Sequence, residues 1–424
     1  MTELLIDGEW VNAVGACTHR LFDPTNRGLL EPIQCAGPEQ RERAVAAARA
    51  ALEGWAGRAP DDRVASVGTI VDEIRQVAGA LAERQAIESG QPLRECQDLV
   101  ANAVRRLRCA EGRNHDPPAA LIRRLPEQGL WPFWEHALKA IEAGSAMVCE
   151  LPVDRALTAL AVARCAQRLP PGVLNVITVE MDPAVSLCAA AATDFVFVGR
   201  DAEVDLAVAG AAALRLYNTG QRIGQSTRIH VEAPLAYRFA ERLHEYLAFL
   251  EAGDPRKPVT DLGPLRSESA LQRATEQIGN SLKQGALVKL GGRSYQPWGL
   301  TGYFLQPTLL VEGSGVERAP CEAISGPVVI VSPTTDFGVS LRECVGVPHA
   351  ALRLTAFTGQ VQKLEQSLRA ASFTPCAGPY TLLADRAWKA DCAAGSTANT
   401  VTIELIDRPQ SDWFPYRNRR GMKL

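Results

Sequence analysis

The sequence predicts an α/β fold, because short apolar segments suited to buried strands alternate with longer segments of helical periodicity. The clearest example starts with the apolar run at 146–149, continues through a helical pattern at 157–168, and returns to an apolar run at 173–177. Prolines and a glycine at 170–172 end the helical pattern before the second strand begins. Strand–helix–strand units of this kind build parallel sheets.

The other elements are predicted from the same signals. The chain opens with a hairpin at 4–6 and 9–11, because Asp7-Gly8 separates two apolar runs. Helical periodicity predicts helices at 41–55, 62–89, 99–109, 134–143 and 235–250. Apolar or alternating runs predict further strands at 194–199, 228–232, 286–290, 327–331 and 400–405.

Composition excludes several classes of protein. The 424 residues are 46% hydrophobic and 22% charged with a formal net charge of -3, which indicates a globular protein of two or three domains without a nucleic-acid or membrane partner. The 11 cysteines form no Cys-x-x-Cys pair, and the N-terminus has no signal-peptide pattern. We therefore expect reduced thiols and a cytoplasmic location. The six histidines are isolated, so no metal site is predicted.

Eight short segments, in order along the chain, resemble the aldehyde dehydrogenase superfamily. They lie at 6–11, 23–26, 88–92, 169–176, 218–221, 253–255 together with 262–265, 302–309 and 324–328. The resemblance implies a truncated Rossmann-like cofactor-type domain at 1–113 and 122–205, an α/β catalytic-type domain at 206–392, and a small β oligomerisation flap at 114–121 and 393–424. It fades beyond about residue 360.

The family chemistry uses a cysteine thiolate that attacks the aldehyde, after which a hydride leaves to nicotinamide. In this sequence Asn218, Gly220, Gln221 and Arg228 match the motif around that cysteine, but the nucleophile position is Ile223. Isoleucine has no nucleophilic atom, and loss of a nucleophile costs about a millionfold in turnover elsewhere. The resemblance therefore implies a site without its central group.

Neighbouring nucleophiles are poor replacements. Ser226 lies three residues further on, but a serine needs a nearby base and none is indicated. Cys149, Cys165 and Cys188 stand in apolar surroundings, so we interpret them as small buried hydrophobic residues.

Three further positions differ from the family pattern. In Trp131-Pro132-Phe133, Pro132 takes the place of the amide that donates to the oxyanion, and proline offers no donor. Ala323 stands where a glutamate would hold the nicotinamide ribose, with Glu322 one residue earlier. Only 48 positions separate Asn175 from Ile223, so the cofactor helix and the strand carrying the general base are interpreted as deleted.

Two remnants of the cofactor site are predicted. Glu150 replaces a lysine that contacts the adenosine ribose in the family. A carboxylate can accept from a ribose hydroxyl, but we favour a surface glutamate at the end of a strand. Gly199, in Phe197-Val198-Gly199, resembles the start of the turn that contacts phosphate.

We predict a catalytically inactive, aldehyde-dehydrogenase-like pseudoenzyme that needs no cofactor (NAD or NADP if any). It would act as a structural or regulatory subunit, in a homo-oligomer or with an active aldehyde dehydrogenase. The alternatives are an enzyme with residual or altered NAD(P)-dependent activity and a small-metabolite binding protein. The strand at 400–405, as an exposed edge, and the aromatic and basic tail at 412–420 are the candidate interfaces; a disordered terminus is the alternative for the tail.

Overall fold

A computed structural model of the chain describes residues 2–108, 118–125, 129–180, 193–222, 227–313, 324–340, 352–360, 363, 366, 374–375, 388–389 and 400–405. The chain forms two compact units. Unit 1 comprises Met1–Ala189, Asp254–Pro258 and Leu300–Gly302, and unit 2 comprises Ala190–Gly253, Val259–Gly299 and Tyr303–Leu424. The three predicted domains and their limits remain a prediction.

Unit 1 is built on a five-stranded sheet and a separate two-stranded sheet. Its strands are β1 (Glu3–Ile6), β2 (Glu9–Asn12), β3 (Thr18–Phe22), β4 (Leu29–Gln34), β5 (Ala120–Arg124), β6 (Ala146–Pro152) and β7 (Leu174–Val179). The larger sheet has the order β2-β1-β7-β6-β5, in which β5, β6 and β7 are parallel. Strands β3 and β4 pair antiparallel by themselves.

The predicted opening hairpin is confirmed. Strands β1 and β2 pair antiparallel around Asp7 and Gly8, whose φ angles are 55° and 78°. Two successive left-handed residues are the backbone of a type I′ turn, which matches the twist of a hairpin. The buried side chain of Asn175 on β7 accepts from the Asp7 N–H at 2.9 Å, so the turn is also tied to the parallel part of the sheet.

Helices form in unit 1 where the sequence predicted them, with different limits. They are α1 (Pro38–Ala56), α2 (Pro60–Gln76), α3 (Ala78–Ser89), α4 (Leu93–Arg108), α5 (Leu130–Glu142) and α6 (Ala156–Cys165). The predicted helix at 62–89 is two helices, because Val77 leaves the helical region at φ -103° and ψ 13°. Helix α5 begins before the predicted residue 134, since Pro132 is accepted in a first turn, where its missing N–H has no partner to lose.

Unit 2 contains a nine-stranded sheet. Its strands are β8 (Thr193–Val198), β9 (Arg228–Glu232), β10 (Leu287–Leu290), β11 (Thr308–Val311), β12 (Val328–Thr334), β13 (Leu352–Phe357), β14 (Thr374–Pro375), β15 (Trp388–Lys389) and β16 (Thr400–Leu405). The order is β10-β11-β12-β9-β8-β13-β16-β14, with β15 also on β16. Helices α7 (Val204–Leu216), α8 (Ala233–Ala248) and α9 (Glu268–Lys283) belong to the same unit.

Two strands have neighbours that the sequence did not predict. The expectation that 400–405 is an exposed edge is wrong, because β16 pairs with β13 on one side and with β14 and β15 on the other. Strand β8, assigned above to the cofactor-type domain, lies between β9 and β13. A strand's own alternation indicates which residues are apolar but not which distant strands pair with it.

The tail at 412–420 lies outside the described residues, so its predicted role as an interface stays a prediction. Among the helices that the structure describes, none is long and apolar enough to cross a membrane.

Candidate functional site

The motif that precedes the nucleophile position forms a strained turn directly after α7. Asn218, Thr219 and Gly220 all have positive φ angles, of 52°, 54° and 71°. Two of these residues are not glycine, and left-handed backbone costs such residues about 1–3 kcal/mol each when it is over-determined by its surroundings. A Cβ added to Gly220 would lie 2.0 Å from the carbonyl oxygen of Gly326, so only glycine fits the third position.

A buried arginine holds this turn in place. The Arg215 side chain, only 2% exposed, donates to the carbonyls of Gly220, Gly326 and Val328, each at 2.8 Å, and to that of Ile324. The Gly326 N–H also donates to the Gly220 carbonyl at 3.0 Å. One guanidinium therefore joins the turn to the segment at 324–328, which carries another of the family phrases.

The other side of the turn contacts the segment at 263–266. The Thr219 hydroxyl accepts from the Gly263 N–H at 2.9 Å. The Gln221 side chain accepts from the Arg266 N–H at 2.8 Å and donates to the Pro264 carbonyl at 3.3 Å. These segments lie far apart in the sequence, and the side chains of Thr219 and Gln221 connect them. Of the two, Gln221 matches the family motif.

The nucleophile position follows immediately. Ile223 and Ser226 lie in the segment 223–226, outside the described residues, as do Ala323 and Glu322. Arg228, the last motif residue, lies on β9 and pairs with Glu312 through Nη2 at 2.7 Å. The structure therefore places the frame of the motif but not these four side chains.

The buried thiols cannot readily supply a thiolate. Burial raises the pKa of Cys149 to about 12 and that of Cys165 to about 11. Burial likewise raises the pKa of Cys96 well above its ordinary value. A thiol is nucleophilic as its thiolate, so Cys149 and Cys165 behave as the small hydrophobic residues that the sequence predicted, and Cys96 is a further example. Cys188 lies outside the described residues.

Pro132 lies in the first turn of α5, where its side chain is exposed while Trp131 and Phe133 on either side are buried. The Trp131 indole donates to Gln85 at 2.8 Å. Pro132 itself has no donor to offer. Its assignment to the oxyanion position stays a prediction.

Glu150 is not a surface residue, and the interpretation favoured above is wrong in that respect. It lies inside β6 and is 3% exposed. Its carboxylate pairs with Arg41 of α1 at 2.6 Å and with Arg124 of β5 at 3.1 Å. A buried carboxylate persists when such partners compensate its lost hydration, and that requirement was not visible in the sequence around residue 150.

Gly199 is in a different sheet from Glu150. It follows β8 in unit 2, where its N–H donates to Phe357 at the end of β13 at 2.9 Å. Its neighbour Asp201 accepts from the Thr358 hydroxyl at 2.7 Å and the Gly359 N–H at 2.8 Å. The structure thus does not join the two predicted cofactor remnants in one sheet, and a cofactor role for either remains a prediction.

A cleft of about 920 Å³ opens in unit 1 beside the N-terminal half of α1. Its wall combines apolar and charged side chains: Ile122, Ile177, Val179, Arg41, Arg49, Arg124, Glu42 and Glu180, together with the thiols of Cys17 and Cys35. Neither this cleft nor the role of Arg215 was predicted. The signal for Arg215 was a lone charge in the otherwise apolar end of α7.

Comparisons with known proteins identify the family of the chain. A model of the aldehyde dehydrogenase family matches residues 10–119 and 185–372, and the chain belongs to that family. Succinate-semialdehyde dehydrogenase [NADP(+)] GabD of Escherichia coli is 26% identical over 383 residues, which cover 77% of this chain and 79% of that protein. Betaine aldehyde dehydrogenase of Rhizobium leguminosarum is 27% identical over 385 residues, 77% of this chain and 78% of that protein.

Solved structures support the same fold. PnpE from Pseudomonas sp. WBC-3 superposes with a TM-score of 0.78 at 21% identity, over 87% of each chain. Aldehyde dehydrogenase C from Pseudomonas syringae, crystallised with NAD+ and octanal, gives 0.74 at 21% identity, over 87% of this chain and 86% of that one. The predicted family and the predicted α/β aldehyde-dehydrogenase-like fold are therefore confirmed.

Proposed function

We propose that this chain is a catalytically inactive member of the aldehyde dehydrogenase family that acts as a structural or regulatory subunit of an active aldehyde dehydrogenase. One observation carries the proposal. The turn at 218–221 keeps Asn218, Gly220 and Gln221 of the family motif and is held by Arg215, yet the nucleophile position that follows it is Ile223.

Two buried thiols, those of Cys149 and Cys165, are poor substitutes for the missing nucleophile. Cys149 and Cys165 are buried with raised pKa values, and each belongs to the core of unit 1. A replacement nucleophile needs both a lowered pKa or a base and access to substrate. These two side chains have neither.

The residues of unit 1 do not fit a nicotinamide cofactor at the position that the resemblance implies. Glu150 stands in place of a lysine, and its carboxylate is engaged by Arg41 and Arg124. Among the strands that the structure describes, β5 pairs only with β6 and therefore forms the edge of the larger sheet. We therefore propose that the chain works without NAD or NADP, and we derive no hydride transfer.

A chain that keeps the family fold but lacks the catalytic residues is still suited to forming an oligomer. The carboxylate of Glu88, in one of the family phrases, accepts from the Leu157 and Thr158 N–H groups at 2.9 Å and so caps α6. Such contacts maintain the fold and require no substrate. Members of this family commonly form oligomers, so a partner of the same fold in the cytoplasm is the proposed occupant of the retained surfaces.

A second function is favoured by the cleft in unit 1. Its volume of about 920 Å³ and its mixed apolar and charged wall are within the range of small-molecule sites, about 300–1,000 Å³. Binding of a small metabolite without turnover is therefore the alternative. Residual dehydrogenase activity remains the third possibility and needs a nucleophile other than residue 223.

Two measurements separate these functions. The native mass and co-purifying partners are determined from the source cell, and the isolated chain is assayed for NAD(P) reduction with a panel of aldehydes. A stable complex with an active dehydrogenase, and no turnover alone, supports the pseudoenzyme. Turnover by the isolated chain, or a rise in melting temperature with NAD or NADP, contradicts it.

A further inference from the structure

Two thiols face each other on the wall of the cleft in unit 1. Cys17 precedes β3 and Cys35 follows β4, and both line the cleft. The ladder pairs Thr18 with Gln34, and the Cys35 N–H donates to the Cys17 carbonyl at 2.8 Å. Cys17 and Cys35 are therefore directly opposite residues that continue the same ladder.

That placement fits the Cα separation that a disulfide requires. Opposite residues of an antiparallel pair have Cα atoms about 4.5–5.5 Å apart and side chains on the same face. Disulfides need a Cα separation of about 4.4–6.8 Å. Gly15 keeps the two segments close, because its N–H donates to the Cys35 carbonyl at 2.9 Å and a Cβ there would lie 2.5 Å from the same oxygen.

The two thiols differ in access. Cys35 is buried, and burial, followed by hydrogen bonding and proximity to Cys17, raises its pKa to about 12, with a smaller contribution from Glu180. Cys17 is partly exposed. A reagent entering the cleft therefore reaches Cys17 first, and Cys35 lies beside it as a protonated thiol.

We propose that Cys17 and Cys35 are a pair of redox-active thiols that a hydroperoxide entering the cleft converts to a disulfide. The Cys17 sulfur attacks the peroxide, a sulfur–oxygen bond forms and the oxygen–oxygen bond breaks. The departing oxygen takes up the proton of the Cys17 thiol and leaves as water or an alcohol. Oxidation of Cys17 removes the thiol whose hydrogen bond and charge add to the effect of burial in raising the pKa of Cys35. The Cys35 thiol then loses its proton and its sulfur attacks the Cys17 sulfur; the sulfur–oxygen bond of the sulfenic acid breaks, and the hydroxide leaves with that proton as water. Two thiols are oxidised by two electrons and one peroxide is reduced.

The inference is independent of the proposed subunit role. Oxidation would tie the open ends of the β3–β4 hairpin and change the wall that carries Arg41 and Arg49. Closing a loop by a disulfide restricts the unfolded chain. The oxidised chain is therefore expected to melt several degrees above the reduced chain.

The test uses the whole chain treated with hydrogen peroxide, unfolded in an alkylating reagent, and digested with trypsin without reduction. The sequence releases Cys17 in the peptide 1–20 and Cys35 in the peptide 28–41. We expect these two peptides as one linked species that dithiothreitol separates. Recovery of both peptides with alkylated cysteines, or of Cys17 carrying only sulfinic or sulfonic acid, overturns the proposal.

Variants check the order of the two steps. In Cys35→Ser, the same treatment should add oxygen to Cys17, because the resolving thiol is gone. In Cys17→Ser, Cys35 should stay alkylatable after unfolding. Cys165→Ser is the matched control and should leave the linked species unchanged; its loss in that control would contradict the pairing. The peptide map of the unmodified chain decides the question even if a variant does not fold.

Discussion

Arg215 donates through Nη1 to the carbonyl oxygen of Gly220 at 2.8 Å, and the same guanidinium reaches Gly326 at 2.8 Å through Nη2. The cationic group is thus used to hold backbone. Arginine suits this task because its donors form a fixed planar fork. The consequence is that the turn at 218–221 depends on one side chain of the preceding helix.

The first prediction concerns that dependence. Arg215→Met should lower the free energy of unfolding by about 3 kcal/mol. The buried carbonyls would lose their charged donor, and the methionine side chain has no N–H group to replace it. Urea unfolding followed by circular dichroism measures the change. Arg49→Met, at an exposed position on α1, is the control and should shift it by less than about 0.5 kcal/mol. Equal effects would show that the four carbonyl contacts contribute little.

A pair of glycines tests the left-handed turn. Gly220→Ala should destabilise the fold by about 2–4 kcal/mol, because φ is 71° and the new Cβ meets the Gly326 carbonyl. Gly54→Ala is the matched substitution in the interior of α1, where a Cβ meets nothing within 4 Å. It should stabilise by about 0.5–1 kcal/mol. Thermal and urea midpoints should therefore move in opposite directions, and a shared direction would contradict the geometry of the turn.

Restoring the nucleophile should not restore the reaction. Ile223→Cys adds a thiol at the position that the family motif indicates, but the predicted oxyanion donor and cofactor contacts are still missing. We expect no NAD(P) reduction above that of the unmodified chain with a panel of aldehydes. Reaction of the new thiol with iodoacetamide, mapped by mass spectrometry, checks that it is accessible. Appearance of NAD(P)H would show that the rest of the machinery is intact.

Glu150→Lys restores the residue type that the resemblance expects. It should nevertheless destabilise the fold, because a buried cation would face Arg41 and Arg124 instead of neutralising them. A loss of about 3–5 kcal/mol is expected from breaking a buried pair. Glu150→Gln keeps the size and should cost less. A folded lysine variant that gains a thermal shift with NAD would contradict our account of the position.

Stability should fall in alkaline solution. Burial raises the pKa of Cys149 from 9.0 to about 12 and that of Cys165 to about 11, so the unfolded chain releases these protons at lower pH than the folded chain. Their contribution is complete below about pH 9 and is lost as the pH rises from there toward 11–12. The unfolding free energy should fall by up to about 1.4 kcal/mol per pH unit for each such thiol.

Urea midpoints between pH 7.5 and 10.5 measure this slope. Cys149→Ala should make the slope above pH 9 shallower, although the cavity lowers stability at every pH. An unchanged slope in that variant would mean that Cys149 titrates alike in both states.

Elements of the fold that depend on neighbouring residues could be predicted from the sequence. The Asp7-Gly8 turn, the apolar strand at 146–149 and the strand at 228–232 could be predicted because each depends on neighbouring residues. The family phrases also predicted which architecture these pieces form. The paired environment of β16 could not be predicted, since its partners β13 and β14 are chosen by contacts distant in the sequence.

In the candidate site too, the residues of a local motif could be predicted, whereas a residue that depends on distant partners could not. Asn218, Gly220 and Gln221 were identified by their spacing, and the structure shows them organised in one turn. Glu150 was misjudged because its burial depends on two arginines, one 109 and one 26 positions earlier in the chain. Pairing of that kind is a property of the folded chain, and a strand-end glutamate without it would be exposed.

The contacts of Arg215 also affect how unit 2 unfolds. Burying the Arg215 guanidinium without hydrogen-bond partners would cost free energy. Its hydrogen bonds to the carbonyls of Ile324, Gly326 and Val328 should therefore form in the same folding step in which α7 packs into unit 2. Helix α7 and strand β12 should then form a single cooperative unit. Hydrogen exchange at the Gly326 amide, which donates to Gly220, should accordingly be as slow as exchange through global unfolding, even though the turn it contacts is irregular backbone.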